Sequence, residues 1–177
     1  MANEHTLTTE YKGIPGIYFR KLLFTIIDLG RLDRNNLTIL DYGSGYGVLK
    51  SIIKNRNKTV NVINYDIEPD LTEIKDWRNV DFDVVVANEV FYTFDQVALE
   101  FLLVEFKKKN QNIEIIVGIS KQSIINNIGK IIFRESEAHN LTLLNPKEEI
   151  AILLEHMEII DHKSVWCLAD IYRLRFI

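Results

Sequence analysis

Residues 39–48 read Ile-Leu-Asp-Tyr-Gly-Ser-Gly-Tyr-Gly-Val, and this stretch decides the fold. A short apolar run ends at Asp41, three glycines follow at alternate positions, and apolar periodicity then resumes. Glycine reaches backbone conformations with positive φ and allows a ligand to come close to the main chain. The pattern predicts a buried strand, a tight turn and a helix whose N-terminus faces a ligand. We therefore expect this loop to bind a nucleotide-like molecule.

The spacing of the glycines narrows the choice of ligand. The dinucleotide-binding fingerprint is Gly-x-Gly-x-x-Gly, whereas the third glycine here, Gly47, comes one residue earlier. The loop also lacks the Gly-Lys-Ser/Thr sequence of a P-loop, and the first lysine after the glycines is Lys50. These departures disfavour an NAD-dependent oxidoreductase and indicate a ligand without a pyrophosphate. A glycine-rich turn that binds no ligand is the alternative.

Strands and helices are predicted to alternate along the chain, which indicates an α/β fold with a mainly parallel sheet. Short apolar runs predict buried strands, and apolar residues at helical spacing predict amphipathic helices. The strands are expected at residues 37–41, 60–66, 82–88, 113–119, 157–161 and 165–176, and the helices at about 15–30, 46–57, 95–109, 124–132 and from Asn145 onward.

Two connections carry more specific expectations. Residues 67–80 are too few for a full helix and strand, so we expect a compressed helix near 69–74 and a reduced third strand, or none. Residues 162–164 are turn-like and are expected to join the last two strands, the final one being antiparallel.

The composition is that of an ordinary globular chain of 177 residues, with 47% hydrophobic and 26% charged residues. The net charge of −4 disfavours a nucleic-acid partner. No apolar run approaches the roughly 20 residues of a membrane span, and residues 1–10 lack the apolar segment of a signal peptide. We therefore expect a cytoplasmic protein.

The single cysteine, Cys167, excludes an internal disulfide. It lies in an apolar, strand-like stretch, so we expect a small core residue and not a nucleophile. No metal site is predicted, because the four histidines are scattered and the cysteine has no partner.

The chain resembles the class I S-adenosylmethionine-dependent methyltransferases, of the small-molecule type. The resemblance rests on Asp41-x-Gly43-x-Gly45-x-Gly47 after the first strand, Asp66 after the second, and the apolar run 82–88 as the fourth. It covers nearly the whole chain. It implies a single domain, residues 1–177, with a Rossmann-like, mainly parallel seven-stranded sheet, a reduced third strand, helices on both faces and an antiparallel last strand.

The resemblance also implies an S-adenosylmethionine site built on the first two strands. Gly43, Ser44 and Gly45 are expected to line the methionine part of the cofactor, with Asp41 near its amino group. Asp66 is expected to hold both hydroxyls of the ribose, which an acid at this topological position can do. On its own, an Asp at a strand end could equally cap the next helix.

The later strands are expected to complete the cofactor site. Asp76 is the best match for the acid that meets the adenine amino group, and Trp77 could stack or pack on the base. Asn88, Glu89 and Val90, at the end of the fourth strand, are expected near the methionine end and the reacting centre.

Methyl transfer needs a general base only when the acceptor must lose a proton during attack. Glu89 and His139 are the candidates for this catalytic role, since His139 follows the fifth strand, where this family often shapes its acceptor pocket. His5 lies in a loose arm, while His156 and His162 flank a predicted strand and are interpreted as structural or exposed.

The acceptor is expected to be a small molecule. Tyr11 and Tyr18 are the candidate substrate contacts, because the arm and helix of residues 1–30 resemble a lid. The Asn-Pro-Pro-Tyr signature of amino-group methylation of bases is replaced by Asn88-Glu89-Val90-Phe91. The prediction is a methyltransferase acting on a small-molecule, lipid or sugar acceptor. The alternative is a catalytically silent methyltransferase-like binding or partner module, to which the compressed third-strand region gives weight.

Overall fold

The computed structural model describes residues 13–121 and 142–177. Within them lie four α-helices, six strands and two short 3-10 turns, Trp77–Asn79 and Phe91–Thr93. The helices and strands are α1 (Gly13–Gly30), β1 (Thr38–Tyr42), α2 (Val48–Arg56), β2 (Asn61–Tyr65), β3 (Val84–Asn88), α3 (Gln96–Lys109), β4 (Glu114–Ser120), α4 (Pro146–His156), β5 (Met157–Val165) and β6 (Ala169–Phe176).

The strands form one mixed sheet in the order β2-β1-β3-β4-β6-β5. β1 pairs in parallel with β2 and β3, and β3 pairs in parallel with β4. β6 is antiparallel to both β4 and β5, so the predicted antiparallel last strand is confirmed. The chain passes from β1 to β2 on one side and then to β3 on the other. The carboxyl ends of β1 and β3 therefore form a switch point, where ligands bind in open α/β sheets.

Seven strands were predicted, and the described part of the chain forms six. Three of the five strand pairings are parallel. No strand or helix forms between Asp66 and Asp76, so the helix predicted near 69–74 is wrong. Glu73 lies on the outer edge of β2 instead. Its N–H donates to the Asn64 carbonyl at 3.0 Å, and its carboxylate accepts from the Asn64 N–H at 3.1 Å. One residue thus makes the contacts that a third strand would have made there.

The final hairpin turns later than predicted. Residues 162–164 belong to β5, where His162 stacks on Tyr172 of β6 with ring centroids 4.6 Å apart. The turn is made by residues 166–168, and both Trp166 and Cys167 have positive φ, at 50° and 55°. Cys167 is exposed in this turn, so its predicted core position is wrong.

Helices cover both faces of the sheet. Successive strand residues point to opposite sides, so each buried strand presents apolar side chains to the helices on both faces. Leu40 and Val85 pack with α3 and α4, whereas Ile39 and Val84 pack with α1 and α2. The first face also carries an aromatic cluster, made of Tyr42, Trp77, Phe82, Phe91 and Phe106. None of the described helices is both long and apolar enough to cross a membrane.

Candidate active site

The glycine loop lies at the switch point and is held by its neighbours. The N–H groups of Gly43 and Ser44 donate to the Tyr65 carbonyl at 2.8 and 3.1 Å. Gly43 has φ 76°, and a Cβ there would lie 2.4 Å from Val90 Cγ2. Gly47 has φ 68° and precedes the first residue of α2. Both the backbone conformation and the close approach to Val90 therefore require glycine at position 43.

Several buried polar atoms at this edge lack a hydrogen-bond partner among the described residues. They are Ser44 Oγ, Asn88 Oδ1, Asn64 Oδ1 and Tyr18 Oη. A Cβ added to Gly45 would meet nothing within 4 Å, so the loop borders open space. Leaving a buried polar group unpaired costs about 1–3 kcal/mol. Such atoms beside an open loop indicate a site that a ligand completes.

Acidic side chains gather beneath the loop. Asp41 is buried, and its pKa is raised to about 7 by burial and then by the charges of Asp66 and Glu73, with Lys50 acting in the opposite direction. Asp66 accepts hydrogen bonds from the N–H groups of Gly45, at 2.9 Å, and Glu68, at 3.1 Å. The predicted Asp41, Gly45 and Asp66 are thus brought together.

Two charged residues of this region were missed by sequence reasoning. Lys50, in the first turn of α2, forms an ion pair with Glu73 at 2.5 Å. Burial alone would raise the pKa of Glu73, but the hydrogen bonds from Lys50 and from the Asn64 N–H lower it overall. The signal for Lys50 was available, because a residue in the first turn after a glycine loop lies near the ends of the adjacent strands.

The residues expected at the adenine lie side by side but differ in exposure. Asp76 caps the Trp77–Asn79 turn, and the hydrogen bond from the Arg78 N–H lowers its pKa. Its side chain is 41% exposed. Trp77 is 2% exposed and packs 4.6 Å from Phe106, measured between ring centroids. The adenine contacts stay predictions, and the burial of Trp77 leaves Asp76 as the accessible member.

Glu89 follows β3 directly and turns back toward β4. It has φ 58°, its N–H donates to the Gly118 carbonyl at 3.0 Å, and its Oε1 accepts from the Ser120 hydroxyl at 2.5 Å. Burial raises its pKa to about 7, against the opposing effect of Ser120. Tyr18 of α1 lies nearby: burial, followed by the charge of Glu89, raises the pKa of its hydroxyl to about 12, against the opposing effect of the Ser120 hydroxyl.

A second carboxylate, that of the buried Glu149, faces the same region as the half-buried Glu89 and was also missed. It is 2% exposed, and its pKa is raised to about 8 by burial and by the charge of Glu89. The N–H groups of Leu143 and Leu144 donate to the Tyr92 carbonyl, which fixes the start of α4 beside the segment that follows Glu89. Glu149 shares a helix face with core residues of α4, which is the sequence signal for its burial.

The other predicted residues fall outside this grouping. Tyr11, His139 and His5 lie outside the described residues. His156 ends α4, and His162 lies exposed in β5. Within the described ranges, no group of three or more His, Cys, Asp or Glu side chains could hold a metal ion.

Comparison with known proteins gives a likeness in structure alone. No family model matches the chain, and no curated protein sequence matches it. The solved structure of the N,N-8-amino-8-demethyl-D-riboflavin dimethyltransferase RosA from Streptomyces davawensis is similar with a TM-score of 0.62 and 17% identity, over 92% of this chain and 55% of RosA. The PH0226 protein from Pyrococcus horikoshii OT3 is similar with a TM-score of 0.68 and 10% identity, over 97% of both chains.

The N-methyltransferase NodS from Bradyrhizobium japonicum WM9 is similar with a TM-score of 0.61 and 15% identity, over 90% of this chain and 97% of NodS. NodS has also been solved in complex with S-adenosyl-L-homocysteine. At these identities the likeness concerns the fold, and the chain spans about half the length of RosA. The predicted resemblance is confirmed at that level: this chain has the Rossmann-like fold of class I methyltransferases such as RosA and NodS.

Proposed function

We propose that this protein is an S-adenosylmethionine-dependent methyltransferase acting on a small-molecule acceptor, with lipids and sugars included in that class. The observation that carries the proposal is the unpartnered, buried Ser44 hydroxyl in a three-glycine loop, between Asp41 and Asp66, at the switch point of the sheet. A glycine loop of this shape lets a ligand lie close to the main chain. The acids on either side of it suit a ligand with an ammonium group and a ribose.

The residues of the loop fit the parts of that cofactor. An ionised Asp41 would attract the α-ammonium group of the methionine part. Asp66 accepts two backbone hydrogen bonds through two different oxygens, and each carboxylate oxygen has a second lone pair for a ribose hydroxyl. Ser44 Oγ and Asn88 Oδ1 would gain the partners that they lack. The cofactor, when bound, supplies a methyl group already activated on a sulfonium sulfur.

The chain's own contribution is to align the acceptor, exclude water and hold a proton. Glu89 suits the last task, because Ser120 binds one carboxylate oxygen and holds the group in place. A pKa near 7 lets that carboxylate take a proton near neutral pH. The proposal also keeps the remaining predictions. They are a lid formed by residues 1–30, a single domain over residues 1–177, a cytoplasmic location, and roles for Tyr11 and His139.

The second candidate is a catalytically silent methyltransferase-like module. It is favoured by the segment after β2, which has no third strand, and by Asp66, whose carboxylate already binds the glycine loop. Such a module could bind the cofactor weakly, or could serve only as a partner subunit.

The cofactor is tested by thermal shift and calorimetry with S-adenosylhomocysteine and NAD. We expect S-adenosylhomocysteine alone to raise the melting temperature, since a ligand that binds only the native state stabilises it. Asp66→Ala should weaken binding at least about tenfold, roughly 1.4 kcal/mol. Asp70→Ala, an exposed acid in the following turn, is the matched control and should leave binding unchanged. No shift with S-adenosylhomocysteine would refute the proposal.

Catalysis is tested separately, with S-adenosylmethionine labelled in its methyl group and pools of small acceptors. Transfer of label to any acceptor supports the enzyme. Tight binding of S-adenosylhomocysteine without transfer across broad pools would favour the silent module.

A further inference from the structure

We propose that the methyl acceptor is an amine that binds as an ammonium ion between Glu89 and Glu149, at the carboxyl ends of β3 and β4. Glu89 and Glu149 are called the acidic pair below. This inference rests on the proposed methyltransferase function and adds the chemical class of its acceptor.

The acidic pair lies next to the cofactor loop. Val90, the residue after Glu89, is the side chain that packs against Gly43. Glu89 itself is tied to β4 by the Gly118 carbonyl and the Ser120 hydroxyl. A molecule that contacts Glu89 is therefore within reach of whatever lies along the glycine loop.

The acidic pair lacks a positive partner in the part of the chain that the structure describes. The ion pairs found there involve neither Glu89 nor Glu149. Burying a carboxylate is costly unless it is paired with a charge or neutralised by a proton. The charge of Glu89 also opposes ionisation of Glu149, as the raised pKa of Glu149 reflects. A cationic ligand would supply the missing charge.

An independent feature points to the same ligand. Tyr18 is 4% exposed, and its hydroxyl lies beside the Ser120 hydroxyl and the Glu89 carboxylate without forming a hydrogen bond of ordinary geometry to a described residue. A hydroxyl oxygen can accept a hydrogen bond, and an ammonium group has N–H donors to give. One ammonium ion could therefore donate to both carboxylates and to Tyr18. An alcohol has a single O–H to donate, and a carboxylate ligand would be repelled by the acidic pair.

An ammonium ion must lose a proton before its nitrogen can react, and the acidic pair contains a group that can accept this proton. One N–H proton passes to the Glu89 carboxylate, which becomes the neutral acid, and the nitrogen recovers its lone pair. The lone pair then forms the bond to the methyl carbon, the S–C bond breaks, and its electrons stay on sulfur as a thioether. The product is the methylated ammonium ion, and the Glu89 proton is released to solvent.

The test uses the full-length protein saturated with S-adenosylhomocysteine, and three matched sets of probes: alkyl- and benzylammonium chlorides, the alcohols of the same carbon skeletons, and the corresponding carboxylates. We expect ammonium probes to raise the melting temperature of the complex above the effect of their alcohols. Glu89→Gln and Glu149→Gln should each weaken ammonium binding at least about tenfold, whereas Glu155→Gln, an exposed Glu of the same helix α4, should not. Labelled methyl groups should appear on amines in preference to alcohols.

The outcomes separate this inference from the function on which it rests. If S-adenosylhomocysteine itself fails to bind, the proposed function falls and the inference with it. If it binds but no ammonium probe exceeds its alcohol, the inference alone is overturned. Ammonium binding that both glutamine variants leave unchanged would also overturn it. Circular dichroism and S-adenosylhomocysteine binding show that each variant is folded before its result is used.

Discussion

Two groups of carboxylates lie along one edge of the sheet, and they differ in what holds them. Near the glycine loop, Asp66 receives two backbone N–H groups and Glu73 receives Lys50 and the Asn64 N–H. In the acidic pair, the one donor found in the described part of the chain is the Ser120 hydroxyl on Glu89. The protein thus supplies donors for Asp66 and Glu73, whereas Asp41 and the acidic pair have raised pKa values and are left to be neutralised by a proton or a ligand.

The largest expected effect concerns the rigidity of the cofactor side. Gly43→Ala should lower the free energy of unfolding by about 2–4 kcal/mol, because the residue keeps φ 76° and its Cβ meets Val90. Binding of S-adenosylhomocysteine should be lost. Denaturant unfolding and calorimetry measure both. Gly45→Ala is the matched control: its φ is 49° but its Cβ meets nothing within 4 Å, so about 1 kcal/mol is expected. Equal losses in the two variants would show that the contact with Val90 is not tight.

The next effect concerns the acidic pair and the pH dependence of stability. The pKa of Glu149 rises from 4.5 in its ordinary state to about 8 on folding. Between these values the unfolded chain loses the proton that the folded chain keeps, so stability falls as pH rises from about 4.5 to 8. Glu149→Gln should flatten this slope and raise the melting temperature at pH 8, by roughly 2–4 °C for each kcal/mol. Thermal unfolding between pH 5 and pH 8 measures it.

Glu155→Gln is the control for that slope, because it makes the same chemical change at an exposed position of α4. A Glu149→Gln variant that keeps the wild-type slope would mean that Glu149 finds a counter-charge, and the contrast between the two groups of acids would then fail.

A smaller effect is expected in the pH dependence of cofactor affinity. The pKa of Asp41 is about 7, so the side chain becomes neutral as pH falls and no longer attracts an ammonium group. Affinity for S-adenosylhomocysteine should fall by up to about tenfold from pH 8 to pH 6, roughly 1.4 kcal/mol. Asp41→Asn should remove the dependence. Adenosine, which lacks the ammonium group, serves as the control ligand, and an equal pH dependence for adenosine would exclude Asp41 as its source.

The smallest effect is expected for the ion pair of the cofactor side. Lys50→Met removes a partly exposed contact with Glu73, so we expect a loss of about 0.5 kcal/mol in stability. Because Lys50 also favours the ionised form of Asp41, the midpoint of the pH dependence of S-adenosylhomocysteine affinity should move upward. Lys54→Met, one turn further along α2, should move neither quantity. Calorimetry across the same pH range detects the shift.

Local patterns were enough to predict the central parallel strands and the positions of Asp41, Asp66 and the glycine loop at their ends. The strands that end at Tyr42, Tyr65 and Asn88 are short apolar runs, and the positions of Asp41, Asp66 and the glycines follow from the ends of those runs. Parallel strands bring such residues together whatever the rest of the chain does, so the sequence pattern carries the geometry.

Long-range contacts explain what the sequence did not reveal. Glu149 comes under the influence of the Glu89 charge because the segment before α4 is bound to the Tyr92 carbonyl, and no local pattern encodes that placement. Trp77 looked available to a ligand, but the tertiary packing of Phe82 and Phe106 buries it. The later hairpin turn has a similar cause: β5 is exposed over most of its length, so its apolar alternation is weak, and pairing with β6 decides where it ends.

The exposed thiol in the hairpin turn offers an attachment point for a spectroscopic reporter. Cys167 is the single cysteine in the sequence, and its neighbour Trp166 lies 6.0 Å from Tyr18 between ring centroids. A maleimide dye would label this one position without mutagenesis, beside the ring contact between Trp166 and Tyr18. Fluorescence titration of the labelled, otherwise unaltered protein would therefore report ligand binding at the proposed acceptor site in real time and separately from heat-induced unfolding.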